Sequence, residues 1–388
     1  MLLLRTAFKN ILSGGKRTWL NVAVLSFVLV LMVAFNAMLD GWMEEAQRDT
    51  REWETGNGQY WHPQYDRYDI FTLQDAHGAI PTGLQPQIQA GMAVPVLVFQ
   101  GSIYPQGRMQ NILLRGIPVD QHILKIPSEK LQKIEGEIPA VIGTRMARAA
   151  NLRVGDRVML RWRDKNGAFD AREVLITHIF DNKVPAVDSG QLWLSLDDLY
   201  DMTGTTGEAT YIVTSAETPV PAGDWPFHDN DFLMYDLKIM GEAQQVESVI
   251  IFIILLSIAL LSVYDTQVLS IFRRQKEIGT YVALGMTPWQ VTLLFTIEGT
   301  IYSLLAILVG AVWGTPLLIL FAKTGLPLPQ EFNDIGMAIG DALMPAYHFG
   351  TIARVILIVV GMSALISFIP ARKIARQNMV LALKGKIE

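Results

Sequence analysis

The chain has 388 residues, a formal net charge of −5, 51% hydrophobic residues and only 18% charged residues. Soluble domains carry about 25% charged residues, so this balance indicates a membrane protein. No cysteine occurs, which excludes disulfides, thiolate metal sites and a cysteine nucleophile. The six histidines show no metal-ligand spacing and no His-Glu-x-x-His motif, so neither a metal site nor a hydrolase site is predicted.

The hydrophobic residues are concentrated in four runs. Each can cross about 30 Å of hydrocarbon, for which about 20 helical residues suffice. The predicted transmembrane helices are 19–39, 248–272, 288–321 and 352–369. The first run has an alternative interpretation as a signal peptide, because basic residues precede it. A signal h-region spans only about 7 to 15 residues and no small-x-small cleavage site follows cleanly, so we favour a transmembrane helix.

Basic residues near the ends of the runs predict the orientation, because cytoplasmic loops are enriched in Lys and Arg. They are Arg5, Lys9, Lys16, Arg17, Arg273, Arg274, Lys276, Arg372, Lys373, Arg376, Lys384 and Lys386. An amphipathic N-terminal segment (1–18), a loop (273–287) and the tail (370–388) are therefore predicted to be cytoplasmic. The segments 40–247 and 322–351 are predicted to lie on the other side.

Residues 40–247 have the composition of an acidic soluble domain. They hold 18 Lys and Arg against 30 Asp and Glu, a net charge of −12, and the rest of the chain is basic. Strands are predicted at 94–99, 111–117, 157–162, 174–180, 191–194 and 210–213, and helices at 144–151 and 196–202. The predicted fold class is therefore a four-helix transmembrane protein with an inserted α+β periplasmic domain, carried on helical stalks at 40–53 and 237–248.

The segment 273–298 is the most informative part of the chain. A helix is predicted up to Leu284, with Gly285 as its stop. Thr287 then stands in an N-cap position, and Gln290 takes the place of a capping-box partner. The third transmembrane helix is thus predicted to start at a fixed point beside a polar, basic loop.

This segment resembles the cytoplasmic loop of the FtsX-like permease family of ABC transporters. In that family an Arg/Lys-x-x-Glu-Ile-Gly motif, an Ala-Leu-Gly motif and a downstream membrane Glu recur, and the loop docks on an ATPase. The resemblance implies a role in ATPase coupling for Arg273, Lys276, Glu277, Ile278, Gly279, Leu284 and Gly285. It also implies a coupling or packing role for the membrane carboxylate Glu298.

Other segments extend the resemblance over nearly the whole chain. Residues 142–147 and 151–158 are similar to the glycine, short helix and Leu-x-x-Gly-Asp-x-Val stretch of the MacB-like periplasmic core domain. Residues 55–60 are similar to the first strand of the lipoprotein-releasing subgroup, although Tyr60-Trp61-His62 stands where that subgroup shows alternating aliphatic residues. Residues 370–376 resemble the Pro-Ala-Arg tail of the family.

The chain lacks a phosphate-binding loop, because Gly14-Gly15-Lys16-Arg17-Thr18 has neither the spacing nor the preceding strand. We therefore expect no cofactor in this chain, and expect a partner ABC ATPase dimer to bind ATP and Mg. Four spans are few for a transport path, so a second permease chain, identical or related, is expected. No nucleic-acid partner is expected.

The resemblance implies a non-catalytic permease of the bacterial inner membrane whose cargo is a lipoprotein or other amphipathic molecule, passed to a periplasmic acceptor. The acyl chains of the cargo would contact Leu31, Phe35, Met38, Val249, Phe252 and Ile253. Membrane lipid is expected as a further partner of the chain. Three alternatives stay open: efflux of antibiotics or peptides, regulation of a cell-wall hydrolase, and a membrane-bound enzyme. The last is disfavoured because no nucleophile, metal or paired-acid constellation occurs.

Overall fold

A computed structural model describes residues 15–216, 218–327 and 342–375. The predictions for residues 1–14, including Arg5 and Lys9, lie outside these ranges. So do the predictions for residues 328–341 and for the tail beyond residue 375, with Arg376, Lys384 and Lys386. The chain forms two compact units, whose described parts are 15–43 with 241–327 and 342–375, and 44–240 without residue 217.

The first unit consists mainly of long helices. The described residues include four helices long and apolar enough to cross a membrane, with candidate spans Trp19–Thr55, Tyr235–Arg273, Pro288–Thr324 and Phe349–Lys373. The helices themselves are α1 Gly15–Thr50, which a π-helical turn Arg51–Thr55 extends, α7 Tyr235–Arg273, α8 Gln275–Ala283, α9 Pro288–Thr324 and α10 Phe349–Ala375. A short ladder joins β12 Leu326–Pro327 to β13 Ala342–Leu343. The predicted helical continuations at 40–53 and 237–248 are present within α1 and its π-helical turn and within α7.

Polar contacts fix how α1 and α7 pack. Asn21 of α1 donates to the Thr266 hydroxyl of α7 at 2.6 Å and accepts from Ser262 at 2.8 Å. Further along, the Ser248 hydroxyl donates to the Asn36 side chain at 3.4 Å. Such interhelical hydrogen bonds replace the hydrophobic driving force that is missing between helices in lipid. They show that α1 and α7 run antiparallel, side by side.

The second unit is built on one nine-stranded sheet with short helices. Its strands are β1 Gly58–Trp61, β3 Ala93–Ile103, β4 Gln110–Ile117, β5 Ile138–Gly143, β6 Arg157–Arg163, β7 Phe169–Phe180, β8 Gln191–Ser195, β10 Tyr211–Thr214 and β11 Phe227–Asp229; β2 Gly78–Ala79 pairs with β9 Glu208–Ala209. Its helices are α2 Gln85–Gln89, α3 Thr144–Ala150, α4 Pro185–Asp188, α5 Leu196–Thr203 and α6 Asn230–Leu233. All six predicted strands and both predicted helices in this region are present, but β3 extends four residues beyond the predicted end and β7 begins five residues before the predicted start.

The strand order β11-β1-β10-β3-β4-β8-β5-β7-β6, with an additional pairing of β3 and β6, closes six strands into a ring. The pairs β4–β8 and β5–β7 are parallel and the others antiparallel. In β6 buried and exposed residues alternate strictly, as expected for a strand with one face on a core. The main apolar core lies against this ring and includes Leu97, Trp162 and Leu194.

Candidate coupling site

The coupling segment, residues 273–298, joins α7 to α9 through the short helix α8. α8 ends at Ala283 with Leu284 as its C-cap, and Gly285 follows with a φ of +98°, a conformation that favours glycine. The backbone N–H of Met286 donates to the carbonyl of Tyr281 at 3.0 Å and closes the turn. The predicted helix and its glycine stop are therefore confirmed.

A complete capping box starts α9. The backbone N–H of Gln290 donates to the Thr287 hydroxyl at 3.3 Å, and the backbone N–H of Thr287 donates to the Gln290 side chain at 2.8 Å. Pro288 occupies the first turn, where its missing N–H costs nothing. The predicted capping box is confirmed, and it fixes the point at which the chain enters α9.

Arg274 connects the loop to the membrane helix. Its Nη1 donates to both carboxylate oxygens of Glu298, at 3.1 and 3.0 Å, and its Nε donates to Glu277 at 2.8 Å. The guanidinium also lies over the Phe295 ring, 5.3 Å from its centroid. Burial alone would lower the pKa of Arg274, but the hydrogen bond that it donates to Glu277 and the charge of Glu298 together raise that pKa, so the side chain stays a cation.

Glu298 lies about three turns into α9, and only 3% of it is exposed. A carboxylate in a membrane helix is costly unless it is paired, and Arg274 supplies the pairing cation. Sequence reasoning singled out Glu298 and Arg273, but the structure pairs Glu298 with Arg274, whereas Arg273 is exposed. The signal for Arg274 was its place at the start of the Arg/Lys-x-x-Glu-Ile-Gly motif.

The predicted coupling residues divide into a buried and an exposed set. Ile278 is buried together with Val291 and Phe295 of α9, and Gly279 is buried beside it. The exposed set consists of Arg273, Lys276, Glu277, Leu284 and Gly285. Leu284 is 80% exposed. The buried set therefore holds α8 against α9, and the exposed set forms a surface that a partner can contact.

A polar cluster lies one residue beyond Glu298. A Cβ on Gly299 would overlap the Ser367 hydroxyl of α10 and lie 2.9 Å from the Gln267 side-chain nitrogen of α7. Gln267 and Ser367 are buried, and neither side chain has a hydrogen-bond partner within the described part of the chain. Gly299 is thus a point of close approach between α7, α9 and α10 near the coupling segment, and sequence reasoning missed it.

The residues predicted to contact acyl chains lie on the two helices that Asn36 and Ser248 join. Leu31, Val249 and Ile253 are exposed, and Phe35, Met38 and Phe252 are partly buried. Their exposed apolar surface is compatible with lipid or acyl contact. Over residues 15–216, 218–327 and 342–375, no group of three or more His, Cys, Asp or Glu side chains is arranged to hold a metal ion.

Residues 249–379 match the model of the family described as FtsX-like permease C-terminal. This match covers the coupling segment and the helices around it, and it confirms the recognition of an FtsX-like ABC permease from the motifs. The match supports an ABC transporter permease subunit of this type, and the family's permease subunits are typically non-catalytic. Its four long apolar helices, within the described residues, indicate a multi-pass membrane protein.

Among known proteins, the chain is similar to the lipoprotein-releasing system transmembrane protein LolC of Neisseria meningitidis serogroup B. The two are 22% identical over 333 residues, which cover 75% of this chain and 77% of the relative. Among solved structures, it matches the extracellular domain of the noncanonic ABC-type transporter YknZ from Gram-positive bacteria. That match has 12% identity and a TM-score of 0.23, and it covers 42% of this chain and 83% of the other.

Proposed function

We propose that this permease subunit performs no chemistry itself and transmits the ATP-driven motion of a separate ABC ATPase dimer, which would bind ATP and Mg. The observation that carries the proposal is the structure of the coupling segment. Arg274, at the start of α8, donates hydrogen bonds to Glu298 of α9. The other side of α8 is an exposed surface. A partner that displaces α8 would therefore displace α9 with it.

The exposed surface has the mixed character of a docking site. Leu284, which follows α8 directly, is an apolar side chain that is 80% exposed. Lys276 and Glu277 supply charges of both signs on the same short helix. An apolar anchor with a polar rim is the usual arrangement at protein interfaces. We infer that Leu284 inserts into the ATPase and that the charges set its orientation.

A paired substitution tests docking. Lys276→Glu with Leu284→Asp should abolish association of the purified permease with its cognate ATPase and the stimulation of ATP hydrolysis. The matched control is Lys323→Glu with Leu326→Asp, a charge reversal and a Leu→Asp change on exposed residues at the other end of α9. Normal association of the first variant, or equal losses in both, would overturn the proposal.

Helix length supports transmission beyond the hydrocarbon layer. α1 has 36 residues and α7 has 39, so each is roughly 54 to 58 Å long at 1.5 Å per residue. The hydrocarbon core is only about 30 Å thick. We propose that the remaining turns act as stalks carrying motion to residues 44–240 in the periplasm, and that two permease chains pair around the cargo path.

Reporter fusions test this topology. Fusions after Gln59 and Gly204 should report a periplasmic location, and fusions after Lys276 a cytoplasmic one. A cytoplasmic signal from the fusion after Gly204 would contradict the topology.

We propose a lipoprotein or another amphipathic molecule as cargo, released to a periplasmic acceptor, because the relative is a lipoprotein-releasing system protein. Photo-crosslinkers at Phe35, Met38, Val249 and Phe252 should trap a lipid-modified protein that nucleotide expels. Crosslinkers at Val312 and Leu357, which are 79% and 72% exposed on other helices, are the controls. Protection by small molecules would instead support efflux, and recovery of only a soluble hydrolase through residues 44–240 would support regulation of a cell-wall hydrolase.

A further inference from the structure

A cavity of about 620 Å³ opens on the nine-stranded sheet of the second unit. Its walls come from β3, β4 and β6, from the first residues of β7 and β8, from the turn before β8, and from residues 70 and 74. This volume falls within the range of about 300–1,000 Å³ that is typical of small-molecule sites. All of its lining residues belong to the same compact unit.

The charge of the cavity is opposite to that of its surroundings. Residues 40–247 have a net charge of −12, yet among the described residues that line the cavity the charged ones are Arg161 and Arg163. No ion pair in the part of the chain that the structure describes involves Arg161 or Arg163. Two unneutralised cations at one concave site attract anions.

A third cation lies behind the wall. Arg115 is 8% exposed and donates from Nε to the Gln191 side chain at 2.8 Å, and Gln191 lines the cavity while only 7% exposed. Arg115 also donates to the Tyr211 hydroxyl at 2.9 Å and has no carboxylate partner within the described residues. Its charge is therefore held next to the cavity by neutral groups, in a medium where electrostatic interactions are weakly screened.

The rest of the lining is partly apolar. Ile70 and Phe169, at the opening, are 57% and 65% exposed, and Trp162 and Phe99 form a buried part of the wall. The Arg161 guanidinium lies over the Phe169 ring, 4.3 Å from its centroid. Arg163 is held by hydrogen bonds to the Gln74 side chain at 2.9 Å and to the carbonyl of Gly167 at 3.2 Å. Cations and apolar rings are thus presented together on positioned side chains.

We propose that this cavity binds a small amphipathic anion, that is, a carboxylate or phosphate attached to an apolar chain or ring. Arg161 and Arg163 contact the anionic group, and Phe169 and Ile70 cover the apolar part. The residues that line this cavity and the coupling segment, residues 273–298, belong to different compact units.

The test uses the full chain in nanodiscs and radiolabelled octanoate in equilibrium dialysis, with empty nanodiscs as the blank. We expect one saturable site on the native chain. Arg161→Gln with Arg163→Gln should weaken binding about tenfold or more, since hydrogen bonds to charged groups are lost. Arg148→Gln with Arg153→Gln, which removes two exposed arginines of the same unit away from the cavity, should stay within about twofold.

Competition on the native chain gives a second measurement that needs no variant. Octyl phosphate should displace octanoate, whereas octylammonium and octanol should not. Equal binding by the cavity and control variants would overturn the proposal, as would displacement by octylammonium. Displacement by inorganic phosphate as effective as by octyl phosphate would also overturn it, because the apolar part would then contribute nothing.

Discussion

The pairing of Arg274 with Glu298 predicts an unequal response to removal of its two members. Glu298 is 3% exposed, and Arg274 is its only hydrogen-bonding partner among the described residues. Arg274→Met leaves that carboxylate buried and unpaired, which costs about 3–5 kcal/mol. Glu298→Gln leaves Arg274 with Glu277 and the Phe295 ring, so the loss should be about 1.5–3 kcal/mol, the value of a hydrogen bond to a charged group.

The double variant Arg274→Met with Glu298→Leu should recover most of the stability, because a buried ion pair replaced by apolar side chains of similar volume is often neutral. With Arg274→Met and Glu298→Leu as the two single variants, the coupling free energy from the double-mutant cycle should therefore be about 2 kcal/mol or more. The assay is unfolding of the purified chain in detergent, followed by tryptophan fluorescence. Arg273→Met is the matched control: it is the same change one residue earlier, on an exposed side chain, and should cost at most about 0.5 kcal/mol.

Two results would refute this reasoning. Additive losses in the cycle would show that the two side chains do not interact in the folded chain. A Glu298→Gln variant as unstable as Arg274→Met would show that Glu277 and Phe295 do not support Arg274 as the structure indicates.

Three further predictions concern packing and hydrogen bonds, each measured by unfolding of the full chain. Gly299→Ala should cost about 1–3 kcal/mol by overpacking against Ser367, whereas Gly361→Ala, where a Cβ meets nothing within 4 Å, should be near neutral; equal effects would contradict the close contact. Asn21→Leu and Thr266→Val should each cost about 1 kcal/mol and be non-additive, because both remove the same 2.6 Å hydrogen bond; additivity would exclude that bond. Asp188→Ala should cost about 1–3 kcal/mol, because the buried carboxylate accepts from the backbone N–H groups of Arg145 and Met146 at 3.1 Å each, whereas the exposed Asp181→Ala should not.

Local chemistry explains which elements the sequence predicted correctly. The capping box at Thr287 and the stop at Gly285 depend only on residues a few positions apart, so they were visible without tertiary information. The six predicted strands are short apolar runs with turn residues at their ends. β5 was not predicted: it runs directly into α3 at Thr144, so no turn separates this strand from the helix that the sequence did indicate. The first half of β7, from Phe169 to Glu173, was missed because its residues are exposed.

Tertiary packing explains the rest. Two adjacent arginines, Arg273 and Arg274, have the same chemistry, and which one turns towards Glu298 depends on the break between α7 and α8 at Arg274. The inward face of a helix that is apolar on all sides leaves no periodic signal. Only the structure could therefore show that Asn21 faces α7 and that Gly299 faces α10.

The contacts of α8 determine what a force on it can do. Ile278 packs against Val291 and Phe295 near the start of α9, and Arg274 binds Glu298 about one turn further along. Because these two contacts lie at different positions along α9, they resist both sliding and rotation of α8 against it. Breaking the ion pair between Arg274 and Glu298 alone costs about 3–5 kcal/mol. Gly299 then brings α9 into close contact with Ser367 of α10. If an ATPase docks on Leu284, it should therefore move α8, α9 and α10 together rather than α8 alone.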